Sequence, residues 1–326
     1  MSERTLMGGK PVFTVPARTI VNFDSKFREK GLCDGPTFSA GTSCVSSCTY
    51  CYVPAMMLKQ SPWLKAHGVE GRLEKVVIRR EDAVKIARAQ LRGHPGEARR
   101  TKKVIYGSPL VDVAGNLEMA RETVEICKVI LELTNWDIRL LSKSNLLPRV
   151  AERIRAEMGE FCGRGRMIYG VSTGTQSDEI GKVIEPGTAL VSKRLASLHE
   201  LQKAGYRTFG MICPSLPVLD YLGFARDMWG AIRGGHCENV WAECLNLRGA
   251  SFTNTVGALR AAGMVAAAER LERVSRDKAA WEEYARETFL AHATCYGGGQ
   301  LRFLQYVTND TAAWWEEHRK HGAVPL

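Results

Sequence analysis

Pro36-Thr37-Phe38-Ser39-Ala40 runs without a break into Gly41-Thr42-Ser43-Cys44-Val45-Ser46-Ser47-Cys48-Thr49-Tyr50-Cys51-Tyr52. The first five residues read as a short strand, and the rest as a loop at its C-terminal end. CxxxCxxC spacing turns three thiols toward one centre, which isolated core cysteines do not need. Outward from this stretch, short apolar runs alternate with longer amphipathic ones. Strands are predicted at residues 36–40, 103–106, 137–141, 167–172, 208–213 and 239–245. Helices are predicted at 80–92, 116–134, 146–158, 189–204 and 218–232. Such alternation builds parallel strands joined by right-handed crossovers. The expected fold is α/β: a partial (β/α)6 TIM-like barrel with an N-terminal arm and a helical C-terminal extension. Its parts are 1–35 as arm, 36–250 as barrel, and 251–326 as a cap with helices at 254–274 and 277–292. Sites in such folds lie at the C-terminal ends of the strands.

Composition narrows the class. Of 326 residues, 45% are hydrophobic and 25% charged, enough to build a core and unlike a disordered chain. Forty-five basic residues against 35 acidic ones leave +10, which favours a polyanionic partner. Met1 to Lys10 carries no apolar signal core, and no run is long enough to span a bilayer. A cytoplasmic protein is expected. Ten cysteines are too dilute here for a disulfide scaffold, so core, ligand or reactive roles are expected for them.

Three thiolates are one short of a complete cage. A structural zinc would borrow a remote residue such as His199 or Cys295. A catalytic iron–sulfur cluster would instead leave one iron open to a reacting ligand. Here the sequence resembles the radical S-adenosylmethionine (SAM) enzymes, whose signature is this spacing with an aromatic residue, here Tyr50, before the last cysteine. The resemblance implies that Cys44, Cys48 and Cys51 hold a [4Fe-4S] cluster whose open iron chelates SAM. It also implies an external electron donor such as a flavodoxin or ferredoxin.

A narrower resemblance rests on Glu185-Pro186-Gly187-Thr188, Lys193-Arg194, Lys203-Ala204-Gly205-Tyr206 and Pro16-Ala17-Arg18-Thr19-Ile20-Val21-Asn22. These are similar to the spore photoproduct lyase family, which includes DNA repair enzymes and enzymes that rearrange modified thymine in phage DNA. The likeness runs from about Pro16 to Pro214. It implies that Tyr50 and Tyr52 lie along the adenine and the cluster. Ser108 would meet the SAM amino group, Lys143 its carboxylate, and Ser172 the ribose. DNA is then the expected partner. One departure matters: the family carries a hydrogen-donating cysteine just before the position of Ser108, and here Val104-Ile105-Tyr106-Gly107 holds no thiol. That favours isomerisation of a base over repair of a dimer, unless Cys213 or Cys244 substitutes. A peptide- or metabolite-modifying radical enzyme, and a nucleic-acid-binding module with a structural metal, are the alternatives.

Other signals are weaker. The basic runs at 99–103 and 26–30 are candidate phosphate contacts. Trp314-Trp315 could stack on bases but suits burial better. Glu243, Asn246 and Arg248 close the sixth strand near the expected mouth, and Asp112 suits either a turn or a substrate contact.

Overall fold

The computed structural model describes residues 6–107, 109–247, 250–296 and 299–326. Its N-terminal arm is not featureless. β1 (Leu6–Met7) and β2 (Lys10–Val15) form a hairpin, and β3 (Val21–Asn22) pairs antiparallel with β4 (Thr37–Phe38). β5 (Gly41–Ser43) and β6 (Val77–Arg80) complete a small sheet in the order β1-β2-β6-β5. The cysteine loop leaves that sheet directly after β5.

The main sheet continues through β7 (Val104–Gly107), β8 (Asp137–Ser142), β9 (Met167–Ser172), β10 (Arg207–Ser215) and β11 (Val240–Cys244). These five and β4 are the six strands predicted, parallel and adjacent in chain order. The crossover helices Ala83–Gly93, Leu117–Leu133, Leu147–Gly163, Val191–Lys203 and Tyr221–Ile232 fall where the 3.6-residue pattern put them. No helix among the described residues is long and apolar enough to cross a membrane.

The tail differs from expectation. β12 (Leu301–Gln305) and β13 (Ala323–Pro325) extend the sheet in parallel beyond β11, so the segment after 250 is not helical throughout. The predicted helix 254–274 is two helices, Ser251–Ala261 and Val265–Ser275, parted at Gly263 with φ +76°. Only glycine adopts that left-handed turn without strain.

Alternation within the strands sorts side chains to two faces. Ile138, Leu140, Tyr169, Val171 and Ile212 face the helices in the main core. Tyr106, Ile168, Phe209, Met211 and Trp241 form a second cluster on the opposite face with Leu32 and Cys33 of the arm. The arm is tied there by Arg139 Nη1, which donates to Leu32 O at 2.8 Å, and by Trp241 Nε1, which donates to Lys30 O at 2.8 Å. This second face leads toward the strand ends where the site lies.

Candidate active site

The loop from Cys44 to Cys51 is shaped by its own backbone and clamped from two sides. Ser47 takes φ +51°, a left-handed turn unusual for serine that reverses the chain between the first two cysteines. Cys51 N donates to Cys48 O at 3.1 Å. On one side Thr49 N donates to Ile184 O and Gly187 N to Ser46 O, both at 2.9 Å. Gly187 approaches so closely that a Cβ there would stand 2.2 Å from Val45 O. On the other side Ser251 Oγ donates to Tyr50 O at 3.2 Å, and the Thr49 and Thr255 hydroxyls meet at 2.9 Å. The Glu185-Pro186-Gly187-Thr188 motif is therefore a clamp on the cysteine loop.

Glu185 carries the polar centre of that clamp. Its carboxylate is 1% exposed and accepts from Arg194 Nη2 at 2.5 Å and from the Tyr50 hydroxyl. Arg194 Nη1 donates on to Ser172 O at 2.8 Å, which pins the end of β9. Lys143 Nζ donates to Ser172 Oγ at 2.8 Å, stands 3.9 Å from Glu185 Oε1, and lies 5.6 Å from the Tyr50 ring centre. Burial alone would lower the Lys143 pKa, but Glu185, with Cys48 and Cys213 beyond it, outweighs that and holds it above its ordinary value. The charge of Lys143 is thus maintained at the end of β8, beside Ser172 and Glu185. Asp112 sets this geometry: it accepts from Ser142 Oγ at 2.5 Å and from Lys143 N at 2.8 Å. Its place is that of a positioning residue for the loop after β8.

Three predicted residues, Tyr50, Lys143 and Ser172, are brought together. Tyr52, 44% exposed as a residue, is bonded through its hydroxyl to the Pro109 carbonyl and lies within electrostatic reach of Cys51, Tyr106 and Cys213. Ser108 and Arg248 lie outside the described residues. Cys44, Cys48 and Cys51 are half-buried free thiols, each within electrostatic reach of the others. Burial pushes the Cys48 thiol well up and the Cys51 thiol up to about 11, so ligation must displace protons. No group of three His, Cys, Asp or Glu side chains among the described residues gathers tightly enough for a single metal ion. Three soft thiols flanked by Lys10 and Lys143 suit, by their chemistry, a thiolate-bound iron–sulfur cluster. Neither borrowed zinc ligand is at hand. His199 Nε2 is spent on Ala231 O at 2.7 Å, and Cys295 lies by Leu222 O.

Alternation also separates the two spare cysteines. Cys213 shares the face of Met211 and Phe209, with its Sγ 3.7 Å from Glu243 Oε2 and within electrostatic reach of Tyr50, Tyr52 and Tyr106. Cys244, 4% exposed, points the other way toward Tyr284 and Thr288, where burial pushes its thiol up to about 12. Trp315 is fully buried against Phe289 and Phe303, and Trp314 packs beside it, so this pair belongs to the core. The basic run at 99–103 precedes β7, at the opposite edge of the sheet from Lys143. There Lys102 pairs with Asp137 at 3.3 Å. Sequence reading assigned no role to Lys10, and named Glu185 and Arg194 only as parts of a motif. A buried Lys and a Glu–Arg pair nine residues apart carry no periodic signal.

The architecture is that of an α/β protein whose cysteine loop, leaving the small sheet, meets polar residues at the ends of β8 and β9 of a parallel sheet. No protein-family model matches this chain, and no curated protein does. Among solved structures, a variant of spore photoproduct lyase with dinucleoside spore photoproduct is similar, with a TM-score of 0.56 at 12% identity. A variant of the same lyase with bound AdoMet and dinucleoside spore photoproduct gives 0.53 at 13%. Each match covers 76% of this chain and 66% of the other, so the chain spans just under two thirds of those structures. At that identity the likeness shows the fold alone.

Proposed function

We propose that this chain is a radical SAM enzyme acting on a base in DNA. The observation that carries the reading is the clamp. The same segment that holds the cysteine loop presents Glu185, which binds Tyr50 and Arg194 and faces Lys143 at the ends of β8 and β9. In this reading Cys44, Cys48 and Cys51 hold the [4Fe-4S] cluster, and Lys143 takes the SAM carboxylate by a charge-assisted bond. Ser172 serves the ribose, Ser108 the amino group, and Tyr50 and Tyr52 flank the adenine. When bound, the cluster and SAM supply reductive cleavage to methionine and a radical able to abstract hydrogen from carbon. The chain's own part is to hold Lys143 charged, to fix Tyr50 through Glu185, and to line the pocket. The sheet would curve as a partial (β/α)6 barrel with 1–35 as arm and 251–326 as cap.

DNA as substrate is supported by the net charge of +10 and by the dinucleoside spore photoproduct bound in the similar structures. A base must leave the stack to reach so interior a site. Val104–Gly107 holds no thiol that would give hydrogen to a substrate radical, which favours an isomerisation, a reaction that would need no protein donor. A second reading, lyase-type repair, is favoured by the place of Cys213 on the site's face. The test is mass spectrometry of nucleosides from DNA incubated with anaerobically reconstituted, reduced protein and SAM. A base isomer of unchanged mass supports the first reading and cleaved dimer the second. SAM cleavage without any DNA product would sink both.

A further inference from the structure

Lys10 opens β2 in the N-terminal arm, and its residue surface is 8% exposed. Its Nζ donates to Cys44 O at 2.9 Å. Among the described residues, no carboxylate lies within ion-pair distance of it. Burial lowers its pKa, and the ionisable groups that oppose this are Cys44, Cys48 and Cys51, with Lys75 acting the other way. An ammonium buried without a counter-charge is costly, and cysteines offer one only as thiolates. The cysteines bear that charge once ligated. The small sheet thus carries an ammonium group against a loop whose ligands, anionic in use, supply the counter-charge it lacks.

We propose that Lys10 is the counter-charge of the cysteine-held cluster and raises its reduction potential. This rests on the radical SAM reading of the same site. One electron enters on reduction and no bond forms or breaks. The extra negative charge lies beside a buried cation in a medium of low dielectric, so the reduced form is stabilised more than the oxidised one. The N-terminal hairpin therefore tunes the cluster, although it contributes no ligand.

The experiment compares full-length wild type, Lys10→Met and Lys10→Arg, reconstituted anaerobically with iron and sulfide. Iron per chain is measured first, and reduction is then titrated by electron paramagnetic resonance without substrate. At the potential where half the wild-type cluster is reduced, Lys10→Met should show a reduced-to-oxidised ratio at least tenfold lower, about 59 mV for one electron. Lys10→Arg should stay near the wild-type ratio. A fully loaded Lys10→Met that titrates with wild type overturns the proposal. If Lys10→Met holds no iron, a loaded Lys10→Arg with the wild-type ratio supports it, and loss of iron from both variants overturns it. Failure of the wild type to take a cluster would instead overturn the radical SAM reading itself.

Discussion

Lys143 is the residue on which the proposed SAM pocket depends most directly. Its ammonium is aligned by Ser172 Oγ and kept charged chiefly by Glu185, while its backbone is held by Asp112. Lys143→Ala should weaken SAM binding by about 1.5–3 kcal/mol, the usual range for a hydrogen bond to a charged group. Isothermal titration on reconstituted protein reads this directly, and an unchanged dissociation constant would remove Lys143 from the pocket. The two cysteines on neighbouring strands make a sharper pair. Cys213 faces Glu243 and the site, while Cys244 faces Tyr284 on the helix side. A buried thiol is a poor acid yet still a hydrogen-atom donor, so its raised pKa does not bar Cys213 from that role. Under the isomerase reading, Cys213→Ala keeps forming product and returns deuterium label from substrate to SAM. SAM cleavage that continues without product in Cys213→Ala, but not in Cys244→Ala, would mean that a thiol quenches the radical.

Among elements, the segment from α-helical Ile184 to Thr188 has the most consequence for its length. It gives the cysteine loop two backbone hydrogen bonds and leaves no room for a side chain at Gly187. The obstacle is the backbone carbonyl of Val45, which no rotamer change can clear. Gly187→Ala should therefore displace the loop at a cost of about 1–3 kcal/mol, typical of overpacking. It should also cut iron per chain after reconstitution, while circular dichroism keeps the helix and sheet signals. Full iron loading in Gly187→Ala would show that the clamp does not shape the ligand set. Glu185 and Arg194 behave differently. Both are buried, and removing Glu185 would leave the Arg194 guanidinium buried with the Ser172 carbonyl but no counter-charge, which is costly, whereas Glu185 without Arg194 still faces Lys143 and Tyr50.

At the scale of the molecule, the proposed DNA substrate can be placed by charge and topology together. In a parallel sheet every strand ends on the same edge, so the run at 99–103 before β7 is separated from Lys143 after β8. The distance is about 20 Å, six residues at roughly 3.3 Å each. DNA affinity should fall steeply with salt, since each neutralised phosphate releases counterions. Replacing Arg99, Arg100, Lys102 and Lys103 together with alanine should leave that slope unchanged, as read by fluorescence anisotropy across a salt series. A flatter slope would place DNA across the opposite edge and away from the cysteine loop.

The sequence by itself determined the repeating units. Six strands and five crossover helices were legible because periods of two and 3.6 are local properties of apolar spacing. The cysteine loop was legible because its three thiols lie within eight residues, Cys44 to Cys51. Tyr50, Lys143 and Ser172 were reached through a family resemblance, and the fold then brought their side chains together. Tertiary structure decided what no window of sequence contains. β12 and β13 are short, and they became strands by pairing with an edge already formed at β11. Glu185 joins residues from three separate elements, and Lys10 crosses from a hairpin to Cys44, 34 positions away. The choice between Cys213 and Cys244 followed from strand register, which fixes which face each residue takes once the sheet is assembled.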